Sequence, residues 1–499
     1  MKFVSISVLA MTAATSAFAQ DTQLPQASSD WFTAGQDAIQ AIIDRQDNTN
    51  RAKNVIVLVA DGNGVGTNYA TRVFAGQQEG KLGEEHVLPY ETPQFHSALI
   101  KTYNINAQTP DSAPTAGALN TGVKQRFNLI NLGENAIHDD CTTEAGNELT
   151  TFAEIVSDMG KSVGIVSTAR VTHATPAAVY AKTANRNWES EVPAECETSR
   201  DIATQLIDAM DAGTIDLVMG GGGRAFLPEG ETLGKSTGNR TDGTNLVERA
   251  KDMGAQVATD TASFKALADD APVLALFNNS HMDYEADRAD DEEPSLADMT
   301  ASAIDYLSQN EDGYYLEIEA GRVDHANHGG NARRALIDGV AFADAVSTAL
   351  QMVDPAETLV IVTADHEHSI AFNGYCGRGS DITGLCYDVA QEGIAHSDDL
   401  VLADDGKPYS IIGYLNGPGA VLMEQQDGTF AAPEGRADLS QADATDIDFV
   451  QQSLLPKSSE SHSGEDVAAY AVGPWAHLVD GTLEQNVLFH VMHHAVTAQ

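Results

Sequence analysis

The sequence predicts an α/β fold: a doubly wound, mostly parallel central sheet with helices on both faces, plus an inserted surface subdomain. Three observations predict it. Short apolar, β-branched runs recur along the chain, amphipathic stretches of helical period separate most of them, and glycine or polar residues close each run. Continuous apolar runs mark strands covered on both faces, because a strand with one wet face would alternate instead.

Taken in order, residues 1–19 (MKFVSISVLAMTAATSAFA) combine a lysine, an apolar stretch and Ala17-Phe18-Ala19 before Gln20, the pattern of a cleaved secretory signal. Residues 20–50 read as an N-terminal helical arm, and residues 51–499 as the main folded body. Its strand runs are NVIVLVADG from Asn54, KSVGIVSTA from Lys161, IDLVMGGGG from Ile215, PVLALF from Pro272, YYLEIEAG from Tyr314 and TLVIVTADHEH from Thr358. SRDIATQLIDAMDAG and NARRALIDGVAFADAVSTALQMV supply helical periods between them. From Asn373 to Ser461 the alternation stops and Gly, Asp and Gln take over, so residues 373–461 read as the insertion. No later stretch of about 18 apolar residues is evident, so no spanning helix or membrane anchor is expected. In such a sheet, ligands belong at the carboxyl ends of the strands.

Composition narrows the function. Across 499 residues there are 73 acidic and 28 basic side chains, a formal charge of -45. Such a chain lacks the lysines and arginines to neutralise a nucleic-acid backbone, and an anionic membrane would repel it. With 42% hydrophobic residues it is also no disordered acidic tail. An acidic, lysine-poor surface suits concentrated salt, where a Debye length of about 3 Å suppresses self-repulsion. A melting temperature that climbs with NaCl would mark that adaptation, and one indifferent to salt would remove it. Export into an oxidising compartment, periplasmic or extracellular, lets the four cysteines pair. Local spacing favours Cys376-Cys386, which leaves Cys141-Cys196, although four cysteines allow three pairings.

The chemistry-bearing strings lie at the strand ends. Asp61 closes the first run and GNGVG follows. Thr67 stands where a dinucleotide fingerprint needs its third glycine, and the Asp61 carboxylate would repel a pyrophosphate. GGGG at Gly220 lacks the lysine of a P-loop. EAGRVDHANH supplies Glu319, Asp324, His325 and His328, with Asp324 and His328 at the i, i+4 spacing of one helical face. TADHEHS adds Asp365 and His366. Gathering carboxylates and imidazoles at several strand ends is costly without cations, so a polymetal centre is expected. In TPDSAPTAGALNTG, Ser112 opens a small-residue helix running to about Thr121. A helix N-terminus suits an alkoxide or a phosphoryl group, while simple capping by Asp111 and Ser112 stays open. No G-x-S-x-G elbow surrounds Ser112.

The ordered strings LVADGNG, DSAPTA, TARVTHATPAAVYA, NRNW, EAGRVDHANH, TADHEHS and SHSGEDVAAYA resemble the alkaline phosphatase family, in its animal-type branch, from about Asn54 to Met492. The resemblance implies two zinc ions and one magnesium ion per subunit. Asp324, His328 and His462 would bind one zinc. Asp61, Asp365, His366 and the Ser112 oxygen would bind the other. Asp61, Thr175 and Glu319 would bind magnesium, with His173 touching its water shell and His325 near the phosphate. Ser112 becomes the nucleophile, and Arg186 the clasp on a phosphate monoester. The family also implies a homodimer, and its crown-like subdomain matches the insertion.

The chain departs from that pattern at a calcium site of animal members. Asn278 follows Phe277 where a glutamate is expected, which leaves calcium doubtful even with Glu293 nearby. His86, His96, His138, His281, His368, His396, His477, His490, His493 and His494 match no ligand position, and core packing or surface exposure is expected of them. Two competing readings remain: a phosphodiesterase, sulfatase or phosphoglycerate mutase on the same metal scaffold, and a non-catalytic phosphate- or metal-binding protein. A sulfatase would want an arginine where Ala116 stands.

Overall fold

The computed structural model describes residues 24–268, 270–432 and 435–498. The expected signal, residues 1–19, lies outside them, as do residues 20–23 of the expected arm. The chain divides into two units at Gln46/Asp47. In the first unit, helix α1 (Asp30–Asp44) is amphipathic and has no buried residue.

The second unit is built on a ten-stranded sheet. Its strands are β1 (Asn54–Ala60), β2 (His96–Lys101), β3 (Ser162–Arg170), β4 (Leu217–Gly221), β5 (Gln256–Ala258), β6 (Val273–Leu276), β7 (Tyr314–Ala320), β8 (Thr358–Thr363), β9 (Val467–Val472) and β10 (Gly481–Glu484). Their order is β10-β2-β9-β8-β1-β7-β3-β4-β6-β5. Strand β9 runs against both neighbours, and every other pairing is parallel. The six apolar runs are therefore β1, β3, β4, β6, β7 and β8. Strands β2, β5, β9 and β10 lie towards the sheet's edges and lack long β-branched runs, so no continuous apolar signal marks them.

Strand β1 shows why the runs are continuous. Val55, Val57 and Val59 point into one core layer. That layer holds helices α2 (Ser112–Thr121), α3 (Phe152–Asp158), α4 (Ile202–Asp211), α5 (Leu246–Asp252) and α6 (Val487–Thr497). Ile56, Leu58 and Ala60 point into the other, against α7 (Leu296–Leu307), α8 (Arg322–His328) and α9 (Ala332–Met352). Alternate side chains serve opposite layers, so none can be polar. Helix α9 is the one described helix long and apolar enough to cross a membrane by length and composition. Here Leu336, Phe342 and Val346 spend its apolar face on the protein core.

Within residues 373–461 the secondary structure is small-scale. Ile412–Gly417 pairs with Ile370–Phe372 and Ser453–Pro456, and Tyr387–Val389 with His396–Leu400. The segment leaves and returns at one place, because Glu367 pairs with Ser463 and His368 with His462. Both disulfides, Cys141-Cys196 and Cys376-Cys386, are formed.

Candidate metal centre and nucleophile

The topology delivers the predicted residues to one edge. Asp61 follows β1, His173 and Thr175 follow β3, Glu319 lies at the end of β7, and Asp365 and His366 follow β8. Because β9 is antiparallel, its beginning lies at that same edge, and His462 just precedes it. Thr363 of β8 pairs with Ala469 of β9. Helix α8 turns Asp324 and His328 inward from β7, as their i, i+4 spacing requires.

Asp324, His328 and His462 converge. His328 Nε2 lies 3.3 Å from Asp324 Oδ1 and 3.1 Å from His462 Nε2, while His462 Nε2 lies 3.3 Å from Asp324 Oδ1. Donors placed tetrahedrally at about 2.0–2.1 Å from zinc would stand roughly 3.3 Å apart, so this triangle fits one ion. The protonation fits as well. His328 Nδ1 meets the Glu460 carbonyl at 2.6 Å, and His462 Nδ1 meets the Pro110 carbonyl at 2.9 Å. A carbonyl can only accept, so each Nδ1 carries the proton and each Nε2 lone pair faces the centre.

A second set surrounds His366 Nε2, which is 3.4 Å from Asp61 Oδ1, 3.3 Å from Asp365 Oδ2 and 3.1 Å from Ser112 Oγ. Burial pushes the His366 pKa well below its usual value and lowers that of His328, which keeps both rings in the neutral, metal-binding form. A third set joins Asp61, His173 and Glu319. The Thr175 hydroxyl borders Glu319 but completes no hydrogen bond.

Unmet demand for cations is visible in this third set. Both Asp61 carboxylate oxygens and Glu319 Oε1 are buried and accept no hydrogen bond. Burial, together with the charges of Asp365, Asp324 and Glu319, raises the Asp61 pKa well above the carboxylate range. Burial pushes Glu319 up to about 8, against the hydrogen bond from Ser167. Buried carboxylates with idle oxygens are costly unless cations bind them. The all-oxygen Asp61, Thr175 and Glu319 set suits a hard ion such as magnesium, and the nitrogen-bearing sets suit zinc.

Ser112 is the first residue of α2, preceded by Asp111 as N-cap. The Asp111 side chain makes no capping hydrogen bond. Its Oδ1 instead accepts from Arg186 Nη1, and its Oδ2 from the Asn128 N–H at 3.1 Å. Arg186 Nη2 meets His173 Nε2 at 2.9 Å. Burial works against the Arg186 charge, but Asp111 more than restores it, raising the pKa. The guanidinium is thus held by the residue next to Ser112, leaving part of its donor fork for an anion.

Several partners were not foreseen. His368, expected only to pack or lie exposed, is buried between two carboxylates: Nδ1 is 2.5 Å from Glu460 Oε2 and Nε2 is 2.9 Å from Asp324 Oδ1. Burial disfavours its charge, yet Asp324 and Glu460 prevail and raise its pKa to about 10. His281, in the same group of unassigned histidines, packs its ring 3.9 Å from that of His325. Glu367 anchors helix α10 (Val65–Gln78) through the N–H of Gly66 at 2.7 Å and the Thr67 hydroxyl at 2.8 Å. Gly62 explains part of GNGVG: its φ is 69°, its N–H donates to Asp365 Oδ1 at 3.0 Å, and a Cβ there would meet His368 Nε2 at 2.4 Å.

Known proteins resemble this chain over most of its length. The alkaline phosphatase family profile matches residues 52–498. An alkaline phosphatase of Gadus morhua is 38% identical over 90% of this chain and 92% of its own length. The tissue-nonspecific isozyme of Rattus norvegicus is 37% identical over 93% and 88%. Among solved structures, the Thermus thermophilus alkaline phosphatase superposes with a TM-score of 0.63 at 24% identity, covering 92% of this chain and 94% of that one, a likeness of fold. Matched along nearly all of its folded length by the profile and by animal enzymes, this chain belongs to the alkaline phosphatase family.

Proposed function

We propose that this chain is an exported, homodimeric, metal-dependent phosphomonoesterase that cleaves phosphate monoesters through a phosphoserine at Ser112. The observation that carries the reading is the convergence of three ligand sets, with idle carboxylate oxygens, around a serine at a helix N-terminus. Asp324, His328 and His462 would hold one zinc. Asp61, Asp365, His366 and Ser112 would hold the second. Asp61, Thr175 and Glu319 would hold magnesium, with His173 and His325 just outside. When bound, such ions supply Lewis acidity, lowering the proton affinity of oxygen and offsetting charge on attacking and leaving groups.

The chain's own residues do the rest. The Ser112 oxygen attacks phosphorus in line, the bond to the ester oxygen breaks, and the alcohol leaves with a proton. Water then attacks the phosphoserine, freeing inorganic phosphate and restoring the hydroxyl. Arg186, steadied by Asp111, clasps two non-bridging oxygens, which a dianionic monoester offers better than a diester. The N-terminal amides of α2 favour the negative charge on the transferred group. Two disulfides support export.

Hydrolysis of p-nitrophenyl phosphate, bis-p-nitrophenyl phosphate and p-nitrophenyl sulfate, with and without a chelator, tests the reading. A strong, chelator-sensitive preference for the monoester is expected. Preference for the diester or sulfate, or turnover indifferent to chelation, would overturn it.

A further inference from the structure

The animal-type resemblance brings a fourth ion, calcium, into question, and the residues at that position do not fit one. Glu293 is fully buried. Its Oε1 accepts from Asn278 Nδ2 at 2.6 Å, and its Oε2 from the Asp283 N–H at 2.9 Å. Calcium needs six to eight oxygen ligands, and here an amide nitrogen faces the buried carboxylate instead. A cation is nevertheless present. Lys235 Nζ lies 2.6 Å from Glu292 Oε2, 3.3 Å from Glu293 Oε1 and 3.4 Å from Asp283 Oδ2.

Local structure aims that ammonium. Thr232–Leu233 and Ser236–Thr237 pair as a hairpin, and Lys235 lies in its turn beside Gly234, whose φ is 54°. The hairpin also holds the loop after β6 through the Thr237 N–H, which donates to Asn279 Oδ1 at 2.9 Å. That loop reaches the catalytic edge. Its His281 Nδ1 accepts from the Arg170 N–H at 3.3 Å, its ring packs on His325, and the Met282 N–H donates to the Thr168 carbonyl. Desolvation works against the lysine charge, but Glu292, Glu293 and Asp283 outweigh it and raise the pKa above its ordinary range.

We infer that Lys235 is an internal cation, taking the place of a divalent ion against Glu293, Glu292 and Asp283 and holding the His281 loop without calcium. One flexible ammonium with three donors can answer three carboxylates without the ordered shell of oxygens that calcium demands. The inference concerns loop order and does not depend on the reaction proposed above.

Hydrogen–deuterium exchange over residues 278–294, in the zinc- and magnesium-loaded protein with and without calcium, tests it. Wild type should show no calcium-dependent protection and no saturable calcium uptake by equilibrium dialysis. Lys235→Ala should exchange about tenfold faster in this segment, with or without added calcium. Lys235→Arg, which keeps the charge, should stay near wild type. Stoichiometric calcium uptake by wild type with protection of 278–294 would overturn the inference. So would wild-type exchange in Lys235→Ala.

Discussion

Two carboxylate clusters in this molecule, each with buried members, differ in what answers their charge. At the strand ends, Asp61 leaves both oxygens idle and Glu319 leaves one. Around Glu293, each oxygen has a donor and Lys235 supplies the positive charge. The first arrangement demands ions from solution, while the second is complete within the chain. Function follows from incompleteness: only a group with free coordination positions can deliver an ion's chemistry to a substrate.

The sharpest way to break this comparison is to separate the ions from the reaction. Ser112→Ala removes the nucleophile but leaves Asp61, Asp365 and His366 intact. We expect monoester turnover to fall by at least about 10⁴-fold while zinc content, by elemental analysis, stays at the wild-type level. A variant that lost its zinc would make Ser112 a structural ligand first. Arg186→Ala addresses the one fixed cation beside the nucleophile. Losing a charged donor that meets the transition state should cost about 10²-fold in kcat/KM for monoesters, and less for diesters. An equal fall for both would mean that Arg186 holds the site's shape and does not clasp phosphate.

Asp338 on α9 provides a control, a buried carboxylate with neither a metal set nor a lysine. It is 5% exposed and accepts only the Glu285 N–H, at 3.3–3.4 Å. Burial pushes its pKa up to about 7, against that N–H and the nearby Arg322. The folded-state pKa is raised, so the folded chain holds a proton that the unfolded chain has released. Stability should therefore fall as pH rises between about 4 and 7 and then level off. Asp338→Asn has no charge to bury. Its advantage over wild type should be near zero at pH 4 and reach, at most, about 4 kcal/mol by pH 8, read from urea unfolding. A gap independent of pH would show that Asp338 is ionised in the fold and answered by Arg322.

How far the sequence could be read follows the same division. Asp61, Glu319, Asp365 and His366 were legible because each ends or closely follows an apolar strand run, and Asp324 and His328 because a helix spaces them four apart. Their supports were not. Glu460 comes from the aperiodic insertion, 92 positions from the His368 it grips. Lys235 lies in a two-residue turn far from Glu293. Asp111 looked like a cap but serves Arg186. Hydrophobic period reports which face is buried; it carries no information on which distant polar groups meet.

Glu367 extends the comparison to a carboxylate answered by backbone dipoles. Its Oε2 accepts the Gly66 N–H at 2.7 Å and lies 3.4 Å from the Thr67 N–H. Its Oε1 accepts the Thr67 hydroxyl at 2.8 Å and the His368 N–H at 3.1 Å. Every neighbour is a donor, so Glu367→Gln must turn its own NH₂ against a backbone N–H whichever way the amide lies. We expect a loss of about 2 kcal/mol, combining one unsatisfied buried group with a weaker charge at the start of α10. Because the amides, and not the ions, answer this carboxylate, the loss should persist after metals are stripped, and turnover at saturating zinc should change little. A penalty seen only in the metal-loaded protein would place Glu367 with the cation-demanding group instead, acting through its neighbour His366.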